Sequence, residues 1–189
     1  HTPTPANGAP VVILDNFNRA DGALGANWGG STSGYKIATN RIDVGAAQDI
    51  YWKPVLFGPN QEVSIVLTTI DKVSQEHGLL LKAQSNTGLG AGVLEVMYDP
   101  AAKNVTVWTY TPAAGWVKQG GNINVTMVSG DRFGARALST GRVEVYKNGT
   151  FAGSVNVTGW AYTAASGYQG LYFNSAAAAF LDDFAGSTI

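Results

Sequence analysis

Two groups of side chains in this sequence have the types and spacing to do chemistry. The first lies at the two ends: Asp15, Asn16 and Asp21 in Asp15-Asn-Phe-Asn-Arg-Ala-Asp-Gly22, and Asp182 and Asp183 in Phe180-Leu-Asp-Asp-Phe184. Ca²⁺ takes several carboxylate and carbonyl oxygens from turn-rich segments of this kind. One ion reaches both clusters only if the first and last strands lie side by side. Alternation then allows at most one of Asp182 and Asp183 to point inward with the aromatics. The competing reading has Asp15 and Asp182 accepting backbone N–H hydrogen bonds at strand ends, with no ion.

The second group is a candidate glycan platform. If Val105, Val107 and Thr109 face a core, then Thr106, Trp108 and Tyr110 face outward. The same choice with Leu94, Val96 and Tyr98 inward exposes Glu95, and with Leu79, Leu81 and Ala83 inward exposes Lys82 and Gln84. Flat aromatics stack on sugar faces while polar neighbours fix hydroxyls. Trp116 and Trp160, near loops, are the next candidates, and Trp28 beside Leu24 reads as core. Inter-sheet packing is the alternative role for Trp108, and a single bulge would invert the faces.

Catalytic signals are sparse. A retaining glycosidase needs two carboxyl groups about 5 Å apart, met on a strand by acids at i and i+2, and only the lone Glu95 comes near. His77, the one histidine besides His1, sits beside Gln75 and Glu76 in what reads as a solvated turn. Neither a serine nucleophile elbow nor a phosphate-cradling glycine motif occurs. Asn-x-Thr at Asn104, Asn124, Asn148 and Asn156 follows from strand and turn composition alone.

The elements that must position these residues are strands. Gly141 to Val155 announces a hairpin: Val143 and Val145 alternate with Glu144 and Tyr146, and Asn148-Gly149 suits a type I′ turn. Further strands are expected at 11–14, 35–39, 40–44, 48–52, 61–68, 77–84, 92–99, 104–110, 116–118, 123–128, 132–138, 170–174 and 179–184. Pro54 and Pro59 make 53–60 a crossing loop. Residues 70–76 are compatible with one helical turn. More than a dozen short strands at this spacing predict an all-β, two-sheet sandwich or barrel.

Bulk composition agrees. The 24 Gly, 8 Tyr, 7 Phe and 5 Trp beside only 13% charged residues suit turns and packed sheet faces. With 12 basic and 13 acidic residues and no run of like charge, the electrostatic footprint of nucleic-acid binding is missing. There is no cysteine for a disulfide or a thiolate site. No apolar run approaches the roughly 20 residues of a membrane span, so no membrane insertion is expected. Residues 1–10 have the composition of a linker or tag remnant, and 11–189 are expected to form a single domain.

Three separated pieces carry a resemblance: Asp15 to Gly22 with Leu24 and Trp28, Gly130-Asp-Arg-Phe133 followed by Val143-Glu-Val-Tyr-Lys-Asn-Gly149, and Phe180 to Phe184. Together they resemble the concanavalin A-like lectin/glucanase superfamily, most closely the laminin G-like jelly-roll modules of bacterial secreted and phage minor tail proteins. The resemblance implies two antiparallel sheets, one concave, with the first and last strands adjacent, and often a structural Ca²⁺. It leaves activity open, because one fold hosts many functions. The Glu-x-Asp-x-x-Glu run of the family 16 glycosidases is missing, and the His, Tyr, Arg and Gln grouping of lyases of this architecture has only His77 to draw on.

The expectation is therefore non-catalytic recognition of a polysaccharide or glycan surface by a module of a larger secreted or virion-surface protein. Trp108, Tyr110, Glu95, Lys82, Gln84 and Trp116 are its ligand residues. One alternative is a phage tail or capsid appendage that contacts virion or cell-surface proteins and binds no sugar. The other is a glycan-degrading hydrolase or lyase.

Overall fold

The computed structural model describes residues 12–46 and 48–189; the expected linker at 1–10 and the first residue of the 11–14 strand lie outside them. Among the described residues fifteen strands form two antiparallel sheets, with two single-turn 3₁₀ segments at Thr32–Gly34 and Leu89–Ala91. Among the described residues, no helix is long and apolar enough to cross a membrane.

The eight-stranded sheet contains β1 (Ile13–Asp15), β3 (Tyr35–Ile37), β4 (Ile42–Val44), β6 (Gln61–Thr69), β11 (Arg132–Ala137), β12 (Arg142–Lys147), β13 (Thr150–Asn156) and β15 (Phe180–Thr188). Its order is β13-β12-β11-β6-β15-β4-β3, with β1 also paired to β15. The seven-stranded sheet contains β2 (Trp28–Gly30), β5 (Asp49–Trp52), β7 (Glu76–Ala83), β8 (Val93–Asp99), β9 (Asn104–Thr111), β10 (Gly115–Asn124) and β14 (Tyr168–Asn174), in the order β10-β9-β8-β7-β14-β5-β2. Large single-sheet edges are thereby kept to β13, β3, β10 and β2.

Alternation decides which side of each strand is buried. Val63, Ile65 and Leu67 of β6, Phe133 and Ala135 of β11, and Val143 and Val145 of β12 meet Leu79 and Leu81 of β7, Leu94, Val96 and Tyr98 of β8, and Val105 and Val107 of β9. The first and last strands pair, Ile13 opposite Ala185 and Asp15 opposite Phe184. Beneath this seam Trp28 packs at 4.9 Å from Phe184 and 5.5 Å from Trp52, ring centre to ring centre, in tilted and edge-on arrangements. Trp28 and Leu24 are core residues, as their spacing indicates. The Asn148-Gly149 turn has φ of +51° and +78°, the two positive values a type I′ turn needs.

Local structure departs from expectation at three points. Residues 70–75 form bends and no helical turn, because Asp71 caps them by accepting hydrogen bonds from Val73 N and Ala178 N, and Glu76 already opens β7. The strand expected at 123–128 ends at Asn124, since it is the tail of the ten-residue edge strand β10, which also absorbs 116–118. On β7 the alternation breaks at Lys82, whose φ is +50°. Tyr168 pairs with Ala83 while Gly170 pairs with Leu80, so β7 carries one residue too many and the bulge turns its last side chains over.

Candidate functional site

The outward side of the seven-stranded sheet gathers most of the groups with chemical potential. Registers place Lys118, Trp108, Glu95, Leu80, Gly170 and Tyr51 in one row across six strands. The neighbouring row is Thr106, Met97, Gly78, Tyr172 and Asp49, and on the other side Trp116, Tyr110 and Val93 form a third. Adjacent strands are about 4.8 Å apart, so side chains in a row touch. The aromatic end is laid out for stacking: Tyr110 and Trp116 lie 5.3 Å apart, Trp116 is 38% exposed, and half-buried Trp108 anchors its Nε1 by donating to Thr106 Oγ1 at 3.0 Å.

The acidic end is built around Glu95. It points outward, as alternation requires, yet it is only 3% exposed, which corrects the expectation of an exposed side chain. Its carboxyl leans over Gly78, where any Cβ would clash with Oε1. Oε1 is buried and has no hydrogen-bond partner. Burial, with the nearby Glu76 adding to it, pushes the Glu95 carboxyl well above the usual carboxylate range. Glu76 is itself raised by burial.

Tyr51 lies fully buried beside them and donates its hydroxyl to Asp49 Oδ2 at 2.8 Å. Burial and then the fields of Glu76, Glu95 and Asp49 push Tyr172 up to about 12. Among the described residues none of Asp49, Glu76 and Glu95 has a cationic partner within ion-pair distance. The loop 84–92 closes the far end of the face: Leu89 packs on the patch of Tyr51, Leu80, Ala83 and Val93. That loop comes so close to Gly29 that a side chain there would clash with Asn86 O.

Lys82 and Gln84 do not belong to this surface, which corrects both assignments. The bulge turns Lys82 into the open rim between the sheets, where it is 1% exposed and donates through Nζ to the carbonyls of Pro59, Leu138 and Thr163. Burial brings its amine down to about 8. Gln84 donates to Lys82 O and Ser166 O and so fastens the same bulge. Trp160 is 7% exposed, donates to Tyr110 O at 3.1 Å and acts as packing.

His77 also differs from its expected solvated turn. It points into the core, fully buried, edge-on to Phe173 at 5.1 Å and Tyr98 at 6.3 Å, with neither ring nitrogen partnered. Burial lowers it to about 4.

The end clusters come together through the β1–β15 pairing, but their acids are committed elsewhere. Asp15 binds Arg19 through both oxygens, at 2.6 and 3.0 Å, and accepts Trp28 Nε1 at 2.9 Å and Phe17 N at 2.9 Å. Asn16 caps Asn18 N, Asp21 caps Thr39 N, and Asp182 accepts Asp183 N. Asp183 pairs with Arg132. Among the described residues no three His, Cys, Asp or Glu side chains are grouped to hold a metal ion.

Residues that sequence reasoning missed are Asp49, Tyr51, Glu76, Gly78 and Tyr172. The alternation of 170–174, with Leu171 and Phe173 apolar, was the available signal for an outward Tyr172.

The sequence matches no family model and no curated protein. Solved structures do match. Carbohydrate-binding module CBM66 from Bacillus subtilis is 10% identical over 93% of this chain and 99% of its own, with a TM-score of 0.52. Alginate lyase Aly36B is 15% identical over 98% and 99%, with a TM-score of 0.57. The beta-porphyranase BpGH16B from Bacteroides plebeius is 8% identical over 91% and 88%, with a TM-score of 0.55. These likenesses carry no link to laminin G-like modules or phage tail proteins. At such identities what is shared is architecture, and the chain has the concanavalin A-like jelly-roll fold found in carbohydrate-binding modules, glycoside hydrolases and alginate lyases.

Proposed function

We propose that the chain is a carbohydrate-recognition module that holds a glycan on the outward face of its seven-stranded sheet, as part of a larger secreted or virion-surface protein. The observation that carries this reading is the single surface shared by Trp108, Tyr110 and Trp116 with Asp49, Glu95 and Tyr172. Rings supply stacking area on apolar sugar faces, and carboxyl and phenol groups orient hydroxyls. The presence of carbohydrate-binding modules and glycan-degrading enzymes among proteins of like architecture supports it.

Binding of the protein to a panel of immobilised polysaccharides, with Trp108→Ala as the comparison, tests the reading. Recognition predicts retention of the wild type on at least one polymer and loss of retention in the variant at an unchanged melting temperature. No binding to any polymer, together with self-association or docking on another protein, would favour a structural appendage instead.

A second reading has one specific observation behind it. A carboxyl held above its usual range by burial is the form in which a general acid works. In a hydrolase Glu95 would give its proton to the glycosidic oxygen as the C–O bond breaks, and a second carboxylate, Asp49 or Glu76, would take the proton of the attacking water. Reducing ends or unsaturated products released from a bound polymer, and lost in Glu95→Gln, would establish catalysis.

A further inference from the structure

We infer that the cavity under the overhanging end of β10 is a second binding site, separate from the outward face, and that it takes a single neutral sugar unit. The two sheets do not end together at this edge. The far half of β10 lies against β13: a Cβ on Gly120 would press on Val155, and one on Gly153 would run into Ile123. The near half, from Gly115 to Gln119, is faced instead by the segment 158–161, and a cavity of about 220 Å³ lies between them. It is on the inward side of β9 and β10, where Thr109 pairs with Val117 and Thr111 with Gly115. Tyr110 and Trp116 alternate with these residues and so point the other way.

The group that calls for a ligand is Gln119, which is more than nine-tenths buried. Its Nε2 donates to Thr109 Oγ1 at 2.9 Å, and that hydroxyl gives its own proton to Val117 O at 3.5 Å. The amide is thereby turned with Oε1 left over for the cavity that Gln119 lines. Among the described residues nothing donates to this oxygen, and unlike Glu95 Oε1 it can be reached from solvent. A buried acceptor without a partner is costly and marks a place where a donor is missing.

The rest of the lining narrows the chemistry. Thr111 Oγ1 accepts from Ala114 N at 3.1 Å and keeps its proton to give, while Thr158 adds a hydroxyl at the rim. Trp160 spends its Nε1 on Tyr110 O, so what it offers the cavity is ring carbon. An occupant must therefore donate to an amide oxygen, accept from a hydroxyl and lay apolar surface against an indole, and a sugar ring does all three. Among the described residues no Lys, Arg, His, Asp or Glu lines the cavity. A uronate or an ammonium sugar would lose water there without gaining an opposite charge, and a purely apolar molecule would leave Oε1 unpaired. The volume falls below the roughly 300–1,000 Å³ of pockets for drug-sized molecules, which limits the occupant to one unit.

Proton–nitrogen NMR spectra recorded as glucose, galactose, mannose, glucuronate or glucosamine is added test the site, because the Gln119 side-chain amide and the Trp160 indole N–H each give their own signal. At least one of the neutral hexoses should move both signals, with a Kd of about 1–10 mM. Glucuronate and glucosamine should bind about tenfold more weakly or not at all. Gln119→Leu should abolish the shift at Trp160. Ala161→Trp, at an exposed position of the rim, should do the same by filling the cavity, and keeps the test decisive should Gln119→Leu fold poorly.

Signals of Gln119 and Trp160 that stay still with every sugar, shifts confined to the indoles of Trp108 and Trp116, or binding that survives Ala161→Trp would overturn the site. Charged sugars binding as tightly as neutral ones would overturn the ligand class. Each of these results leaves the outward-face reading standing, since polymer retention and Trp108→Ala decide that one.

Discussion

The two outward faces of this sandwich handle their charges in opposite ways. On the eight-stranded sheet, Arg136 meets Glu62 at 2.8 Å, Arg142 meets Glu144 at 3.0 Å, Lys36 meets Asp43 at 3.2 Å and Arg132 meets Asp183 at 3.5 Å. Its rings are covered by cations as well, Arg136 over Tyr146 at 5.2 Å and Arg41 over Phe180 at 4.2 Å. On the seven-stranded sheet, among the described residues, Asp49, Glu76 and Glu95 form no ion pair, and Trp116 meets Tyr110 at 5.3 Å, ring centre to ring centre, with no cation over either ring. A face whose groups already satisfy each other has little left to offer a ligand. A face left unsatisfied gives up stability and keeps its binding capacity, the usual trade at functional sites.

The largest effect expected is on pH dependence, and it compares the two unpaired titratable groups on opposite sides of β7 and β8. His77 has a folded value near 4, below its ordinary 6.5. Its contribution to stability is full above 6.5 and is lost as pH falls toward 4, about 3 kcal/mol in all. Glu95 works the other way: its folded value is raised, so its cost is absent below about pH 4.5 and grows as pH rises. Chemical denaturation of Glu95→Gln against wild type should therefore show a difference that opens above pH 4.5. A constant difference across pH 4–7 would refute the assignment.

Next in size is a contrast of sign at pH 7. Glu95→Gln should stabilise the fold, by about 1–3 kcal/mol, because it removes the cost of keeping an ionisable carboxyl buried with no partner. Glu62→Gln on the opposite face should destabilise it by about 1–2 kcal/mol, because it weakens a bonded ion pair. Changes of the same sign in both would erase the distinction between the faces.

Smaller in energy, though decisive for function, is Trp108→Ala against Tyr146→Ala. The first should weaken glycan retention by about tenfold, which is about 1.4 kcal/mol. The second should leave retention unchanged. Least of all, EDTA should move the melting temperature by less than a degree, since Asp15 is already held by Arg19 and Trp28. A drop reversed by Ca²⁺ would put an ion in the end cluster.

How far the sequence alone reached can be seen residue by residue. The outward placement of Thr106, Trp108, Tyr110 and Glu95 was legible because β8 and β9 pair without interruption from Val93–Tyr110 to Asp99–Asn104. The hairpin was legible because Asn148-Gly149 permits few other geometries. Lys82 was misplaced because a bulge depends on how β7 fits β14, a tertiary property that local alternation does not encode. The burial of Glu95 was hidden for a similar reason. It needs a glycine at position 78, on another strand, and nothing in either segment alone announces that fit. The acids of the terminal segments suit a metal as well as hydrogen-bond caps, and the bonds that Arg19 and Trp28 make to Asp15 depend on how the segment folds back on itself, which its composition does not encode.

The side-by-side run of β1 and β15 has a consequence for engineering. Ile13 sits across from Ala185, and Gly186 N donates to Val12 O, so polypeptide arrives and departs at nearby points of one sheet. A short bridge would join them, and new termini cut between Asn148 and Gly149 would give a permuted chain with the sandwich retained. The same geometry would let the domain be spliced into a surface loop of a host protein with its seven-stranded sheet turned away from the junction.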